Sequence, residues 1–299
     1  MDLEERPCPI CSLVDRSVLF LAEKFDPKRV TEAAFSSRKL PEYMHFRLMK
    51  CKRCDIVYAS PAVRGEQLAD AYRGASFEAS RESEYAARTY YEYLRRHTGA
   101  KPAPALDIGA GDGAFLLELL RHGYDEIVGY EPSEAPICAA NEAVRTRLRK
   151  GMFDGSSIAD RSFGLVTCFQ TIEHVFEPLR LIREMHRVLS ADGTAFLIGH
   201  DVEALSARLL GEKSPIYDIE HYQLLTRRSA QEIMRTAGFR SVSVFPIMNS
   251  YPLSYWMKLL PIPQFAKRPL LRLLNSKLRW LGDRTIPLPA GNLAVIATK

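Results

Sequence analysis

The sequence has no run of about 18 apolar residues, so no helix is expected to span a membrane. Its first ten residues, MDLEERPCPI, are acidic and lack the apolar stretch of a secretory signal, which predicts a cytoplasmic chain. Cysteine is sparse, six in 299 residues, and this excludes a disulfide-stapled scaffold. Glycine (17) and proline (18) are too few for a collagen-like or low-complexity chain. What is there has the composition of an ordinary globular protein, 46% hydrophobic and 26% charged. The length suits about two domains.

Charge of one sign is also not in large excess, but it is unevenly placed. The chain has 41 Lys/Arg and 36 Asp/Glu. Eight of the basic residues and one of the acidic ones lie in 251–299, so that region carries +7 and the rest −2. The positive charge belongs to one terminal region and not to a broad nucleic-acid-binding surface.

Four of the cysteines form two pairs, Cys8-Pro-Ile-Cys11 and Cys51-Lys-Arg-Cys54. A CxxC turn lets two thiolates reach one ion, and two such turns complete a tetrahedral Zn²⁺ site. Four sulfur ligands leave no open position, so the ion is expected to be structural. The alternative is a redox pair or unrelated cysteines. Cys138 and Cys168 lie in apolar stretches and are expected in the core. Strand-like runs at 17–22, 45–49 and 55–59 flank the turns. They suit a small zinc-binding β module over 1–62 that a metal must staple. Residues 65–97 read as helical, with Glu84/Arg88 and Glu92/Arg96 spaced i,i+4, and form a connector over 63–103. The Gly and Pro residues of 98–104 mark its end.

From residue 104 short apolar runs alternate with helical segments. Strands are expected at 105–108, 126–131, 163–169, 194–199, 239–245 and 292–298, and helices at 114–122, 133–142, 178–189 and 226–237. This alternation predicts an α/β domain over 104–299 with a doubly wound, mainly parallel sheet. Its first turn reads Leu106-Asp107-Ile108-Gly109-Ala110-Gly111-Asp112-Gly113. Glycines between a strand and a helix let a ligand touch the backbone at the carboxyl edge of the sheet. Gly109-x-Gly111-x-x-Ala114 also satisfies the dinucleotide fingerprint. Asp107, two residues before the first glycine, suits an ammonium group better than a pyrophosphate. Glu131 ends the second strand, where an acid accepts ribose hydroxyls in either case.

The runs LDIGAGDG (106–113), GYEP (129–132) and FGLVTCFQTIEHVFEPLRLIREMHRVLSADG (163–193) resemble the class I S-adenosylmethionine-dependent methyltransferases. HYQLLTRRSAQEIMRTAGF (221–239) is similar to their region after the fifth strand. The two CxxC pairs resemble the zinc-binding N-terminus of some sugar and natural-product methyltransferases. The resemblance implies a seven-stranded Rossmann-like sheet with its last strand antiparallel, and S-adenosylmethionine as cofactor. It implies Asp107, Gly109 and Gly111 at the methionine end, Glu131 at the ribose and Asp154 at the adenine. Gln170 would lie beside the methionine carboxylate or the methyl group. The family often has an acid at the position of Gln170, which weakens a metal reading of Gln170-x-x-Glu173-His174.

Methyl transfer from a sulfonium is an in-line displacement, and alignment supplies much of its rate. A base is needed only if the acceptor must lose a proton. His174, with Glu173, follows strand four and is the first choice for that base, against a capping or core-satisfying histidine. His221, in Glu220-His221-Tyr222, is a second candidate for base or substrate contact, against a loop-fixing role. A metal site joining Glu173, His174 and His221 is a further reading. Tyr72, Phe77 and Tyr85 either cover the cofactor or pack. Residues 251–281 carry six Lys/Arg and no acid among aromatics and leucines. Three readings fit them: a peripheral contact with the inner membrane face, a lid over an acidic acceptor such as a nucleotide sugar or glycolipid, or a hairpin packed on the sheet. The expected protein is a methyltransferase for a small-molecule or sugar-linked acceptor. Its rivals are an NAD-type dinucleotide-dependent oxidoreductase and a nucleic-acid-binding zinc protein. Against the last, the N-terminal region has no large basic excess.

Overall fold

The computed structural model describes residues 3–25, 44–63, 82–99, 101–260 and 262–299. Tyr72, Phe77 and the expected helix before residue 82 lie outside them. The first strands are β1 (Leu3–Glu4), β2 (Ser17–Leu21), β3 (Leu48–Cys51), β4 (Val57–Ala59) and β5 (Ala62–Val63). β2, β3 and β4 form an antiparallel ribbon with Ser17 opposite Cys51 and Leu48 opposite Ala59, and β1 pairs with β5. Helix α1 (Glu82–Thr98) follows, acidic at its start and basic at its end, as the helix dipole favours.

The sheet then builds in strand–helix alternation: β6 (Ala105–Ile108), α2 (Ala114–Arg121), β7 (Ile127–Glu131), α3 (Glu134–Ala139), α4 (Glu142–Arg145) and β8 (Leu148–Lys150). Next come β9 (Phe163–Phe169), α5 (Pro178–Val188), β10 (Leu189–His200), α6 (Leu205–Leu210), β11 (Gln223–Leu224) and α7 (Arg227–Thr236). The chain ends with β12 (Ser241–Pro252), α8 (Leu253–Leu259), α9 (Gln264–Leu274), α10 (Arg279–Gly282) and β13 (Thr285–Thr298). Seven strands lie in the order β12-β13-β10-β9-β6-β7-β8. β13 is antiparallel to both neighbours and the other pairs are parallel. This is the seven-stranded Rossmann-like sheet, with its last strand antiparallel, that the resemblance implies.

Successive strand residues point to opposite faces, and both faces are covered. On β10, Ala195 and Leu197 join the layer of α5 and α7 around Ile182, Met185 and Ile233. Phe196 and Ile198 join the layer of α1 and α2 around Leu94, Leu116 and Leu119. Thr226 caps α7 through a capping box with Ser229, as its sequence position suggests. The first layer is continuous with the N-terminal ribbon, because Cys51, Ile56 and Tyr58 belong to the same cluster. β11 pairs with β4, Gln223 opposite Tyr58, so the ribbon order is β11-β4-β3-β2.

Three expectations are corrected. The helix expected at 133–142 is two helices, because Asn141 turns the chain and its side chain accepts from the Ala143 N–H at 3.0 Å. Cys138, on α3, is exposed and is not a core residue, whereas Cys168 is buried. The last hairpin is also longer than expected. β12 continues to Pro252, β13 starts at Thr285, and α8–α10 sit between them. Among the described residues no helix is long and apolar enough to cross a membrane.

Candidate active site

The turn after β6 takes left-handed backbone at Gly109 (φ +75°) and Gly111 (φ +55°). A Cβ at Gly109 would come 2.1 Å from Thr171 Oγ1, so both conformation and space demand glycine there. At Gly111 the space a Cβ would fill is open. Glu131, at the end of β7, ties the turn to the sheet: its carboxylate accepts from Gly111 N at 3.0 Å and Ser133 N at 2.8 Å. From the other side Ser83 of α1 donates to Asp112 at 2.8 Å. Asp107 accepts from Thr167 Oγ1 at 2.6 Å. Burial pushes its carboxyl up to about 7, and the nearby Glu131 adds to the shift. Burial also raises Glu131.

Asp107, Gly109, Gly111, Asp112, Glu131 and Ser83 line a cleft of about 1500 Å³ at the carboxyl edge of β6, β7, β9 and β10. Asp154, Gln170, His174 and His221 line it too. Asp154 is exposed in the loop after β8, accepts from Ser156 N and Oγ at 2.9 Å, and is held below its ordinary value by those bonds. Gln170 holds a left-handed backbone (φ +48°), and among the described residues neither atom of its buried amide finds a partner. Ser83, Ala87 and Tyr90 of α1 also line the cleft, whereas Tyr85 does not.

Glu173 and His174 part company. The short 3₁₀ turn Ile172–His174 sends Ile172 and Glu173 into the core and His174 to the cleft. Glu173 is 0% exposed, and its carboxyl accepts from the His200 N–H at the end of β10. It does not line the cleft, and burial raises its carboxyl. His174 Nδ1 lies 3.9 Å from Glu220 instead. His221 Nδ1 lies 2.7 Å from the Ile216 carbonyl. A carbonyl can only accept, so Nδ1 carries the hydrogen and Nε2 is the basic nitrogen. The rings of His174 and His221 are 4.9 Å apart, and those of His200 and His221 are 5.0 Å apart. His200 Nδ1 is buried, with no partner among the described residues. His174, Glu220 and His221 offer three ligand atoms within 4.8 Å of one another, so Glu220 takes the place that the sequence reading gave Glu173.

The N-terminal module holds these loops. Arg6 is 8% exposed and donates to the carbonyls of Phe176 (2.5 Å) and Tyr222 (3.4 Å), with its guanidinium 4.4 Å from the Phe176 ring. Ala59 N donates to Tyr222 O, and Tyr222 N donates to Glu173 O, both at 2.8 Å. Cys8, Cys11, Cys51 and Cys54 meet beneath this contact, with sulfurs 3.3 to 3.8 Å apart in the close pairs. Bonds of about 2.3 Å to a tetrahedral zinc place sulfurs roughly 3.8 Å apart. Without a cation the thiols titrate interdependently: the hydrogen bond between Cys8 and Cys54 lowers Cys8 to about 5 and raises Cys54, and burial pushes Cys11 up to about 12. Arg6, Ser83 and His200 were not singled out by sequence reasoning. Of these, His200 carried a signal, one residue past the end of an expected strand. Arg6 and Ser83 carried none.

A family model described as a methyltransferase domain matches residues 78–244, and the chain belongs to that family. A ubiquinone biosynthesis O-methyltransferase of Pseudomonas aeruginosa is 30% identical over 113 residues, which are 35% of this chain and 47% of the relative. An EEF1A lysine methyltransferase 2 of Mus musculus is 40% identical over 50 residues, 16% of this chain and 20% of the relative. The chain thus spans about half the length, or less, of these curated relatives. Among solved structures, a putative methyltransferase from an antibiotic biosynthesis pathway of Anabaena variabilis is 16% identical. The match covers 74% of this chain and 100% of that one, with a TM-score of 0.51. The chain therefore carries the methyltransferase domain of that family, on the fold that this solved structure shares.

Proposed function

We propose that the protein transfers a methyl group from S-adenosylmethionine to a hydroxyl of a small polar or sugar-linked acceptor. The observation that carries the reading is one cleft holding a glycine turn, three histidines and a buried carboxyl that has no counter-charge among the described residues. The cofactor supplies an electrophilic methyl group on a sulfonium. Asp107 would take its ammonium, because a cation relieves the burial that raises this carboxyl. Glu131 accepts from Gly111 N, Ser133 N and the Ser133 side chain, and the roughly four bonds a carboxylate can take leave capacity for a ribose hydroxyl. The open face at Gly111 and the unpartnered Gln170 amide suit the methionine end, and Asp154 suits the adenine. His221 Nε2 is the nitrogen able to accept the acceptor's proton. Glu220 lies 3.9 Å from His174 Nδ1, at the same end of the cleft. Oxygen as the receiving atom is supported by the O-methyltransferase named among the relatives. Cys8, Cys11, Cys51 and Cys54 would hold Zn²⁺ in a closed structural site. A second reading, a divalent cation on His174, Glu220 and His221, is favoured by their spacing.

Titration calorimetry with S-adenosylhomocysteine and with NAD tests the proposal. The wild type is expected to bind the first and not the second, and Asp107→Ala and Glu131→Ala to lose that binding. His221→Gln is expected to keep it and to lose at least about 100-fold in turnover if the residue is a base. Binding of NAD would overturn the reading. Activity that a chelator removes and a divalent ion restores, with the four-cysteine zinc retained, would favour the metal.

A further inference from the structure

The helices between β12 and β13 present two unlike faces. Tyr255, Trp256, Lys258 and Lys267 line the cleft, and Trp256 donates to the Ile286 carbonyl at 2.8 Å. Leu274 is buried beneath. At about 100° per residue, Phe265, Ala266, Pro269, Leu270 and Leu273 of α9 fall within an arc of roughly 140°. All five are exposed, Phe265 to 82%. Arg268 and Arg272 border the arc. Trp280 of α10 is 71% exposed, and Leu260, between α8 and α9, is exposed as well. A surface helix ordinarily turns its apolar stripe inward and its polar side outward. α9 keeps an inner line at Lys267, Leu271 and Leu274 and turns a second, wider apolar face to the outside.

We propose that this outer face docks on an anionic lipid bilayer. An apolar arc with arginines along one border is the pattern of a helix lying at headgroup depth. The aromatics Phe265 and Trp280 suit the interface, where ring and polar edge are both accommodated. Residues 251–284 carry seven Lys/Arg against one acid, and that acid, Asp283, lies 3.2 Å from Arg279. The rest of the chain is close to neutral, so the attraction is local and directed. Other occupants fit less well. A polyanion would use the arginines and leave Phe265 and Trp280 in water. A second copy on a two-fold axis would bring like charges face to face.

Co-sedimentation of the whole chain with vesicles tests this. The protein is expected to partition onto phosphatidylcholine vesicles containing phosphatidylglycerol, and not onto phosphatidylcholine alone. The partition is expected to weaken sharply at about 0.5 M salt. The double variants F265S/W280S and R268Q/R272Q should each bind at least about 10-fold less. Both should keep a cooperative thermal transition, which separates a docking defect from misfolding. The surface reading is independent of catalysis, so inactivity does not decide it. It is overturned if the folded wild type stays in the supernatant or if F265S/W280S sediments as the wild type does. It is also overturned if the wild type forms a dimer that F265S/W280S abolishes.

Discussion

Asp107 holds a conflict that a bound cation would resolve. Its ordinary value is 3.8 and burial lifts it to about 7. Between those values the folded chain keeps a proton that the unfolded chain releases. Its contribution to stability therefore falls as pH rises through that window. Asp107→Asn removes the effect while leaving an oxygen for Thr167. The ligand-free variant is expected to melt a few degrees above the wild type at pH 8 and close to it at pH 4. It should also lose S-adenosylhomocysteine binding. Calorimetric melting at the two pH values, with a binding titration beside it, checks both. Asp107, Glu131 and Gln170 could be located from the sequence because each lies within one residue of a strand end, and strand ends meet the ligand edge. Glu173 and Glu220 could not be ranked. Which neighbour in a Glu-His pair faces a cleft depends on one 3₁₀ turn, and no hydrophobic period reports it.

Arg6 is a small strut with a large span, since it joins residues 170 and 216 positions away. It fixes the loops that carry His174 and His221 and lines no part of the cleft. Arg6→Ala is therefore expected to lower kcat about 10-fold or more while leaving S-adenosylhomocysteine affinity within about twofold. Lysine should restore little, because it cannot reach two carbonyls and stack on Phe176 together. Steady-state kinetics with a parallel binding titration separates these outcomes. β6, β9, α5 and α7 were readable from apolar runs bounded by glycine, proline or a threonine cap. The outer halves of β12 and β13 were not. Pro246, Pro252, Pro287 and Pro289 interrupt the strand signal there, yet the two segments pair along their length. β11, two residues long, has no pattern to read.

The doubly wound sheet and the four-cysteine module were both legible, the first from an alternation that marked six of its strands, with the seventh implied only by the family resemblance, and the second from matched CxxC turns. Their union was not, because it rests on side chains and a two-residue strand far apart in sequence. Since one apolar cluster runs through both, metal and fold should be coupled across the whole chain. A strong chelator is expected to lower the midpoint of a single unfolding transition by about 10 °C or more, with no early separate melting of residues 3–63. Differential scanning calorimetry with zinc analysis reads this, and two resolved transitions would contradict it.

The pairing of β11 with β4 also has a consequence for biosynthesis. On the ribosome the cysteine ribbon emerges early, but its fourth strand is still some 160 residues from synthesis. Through that interval Val57 and Tyr58 present an open backbone edge. The module is thus finished long after its cysteines are made, and the nascent chain has its greatest need of a chaperone between those two moments.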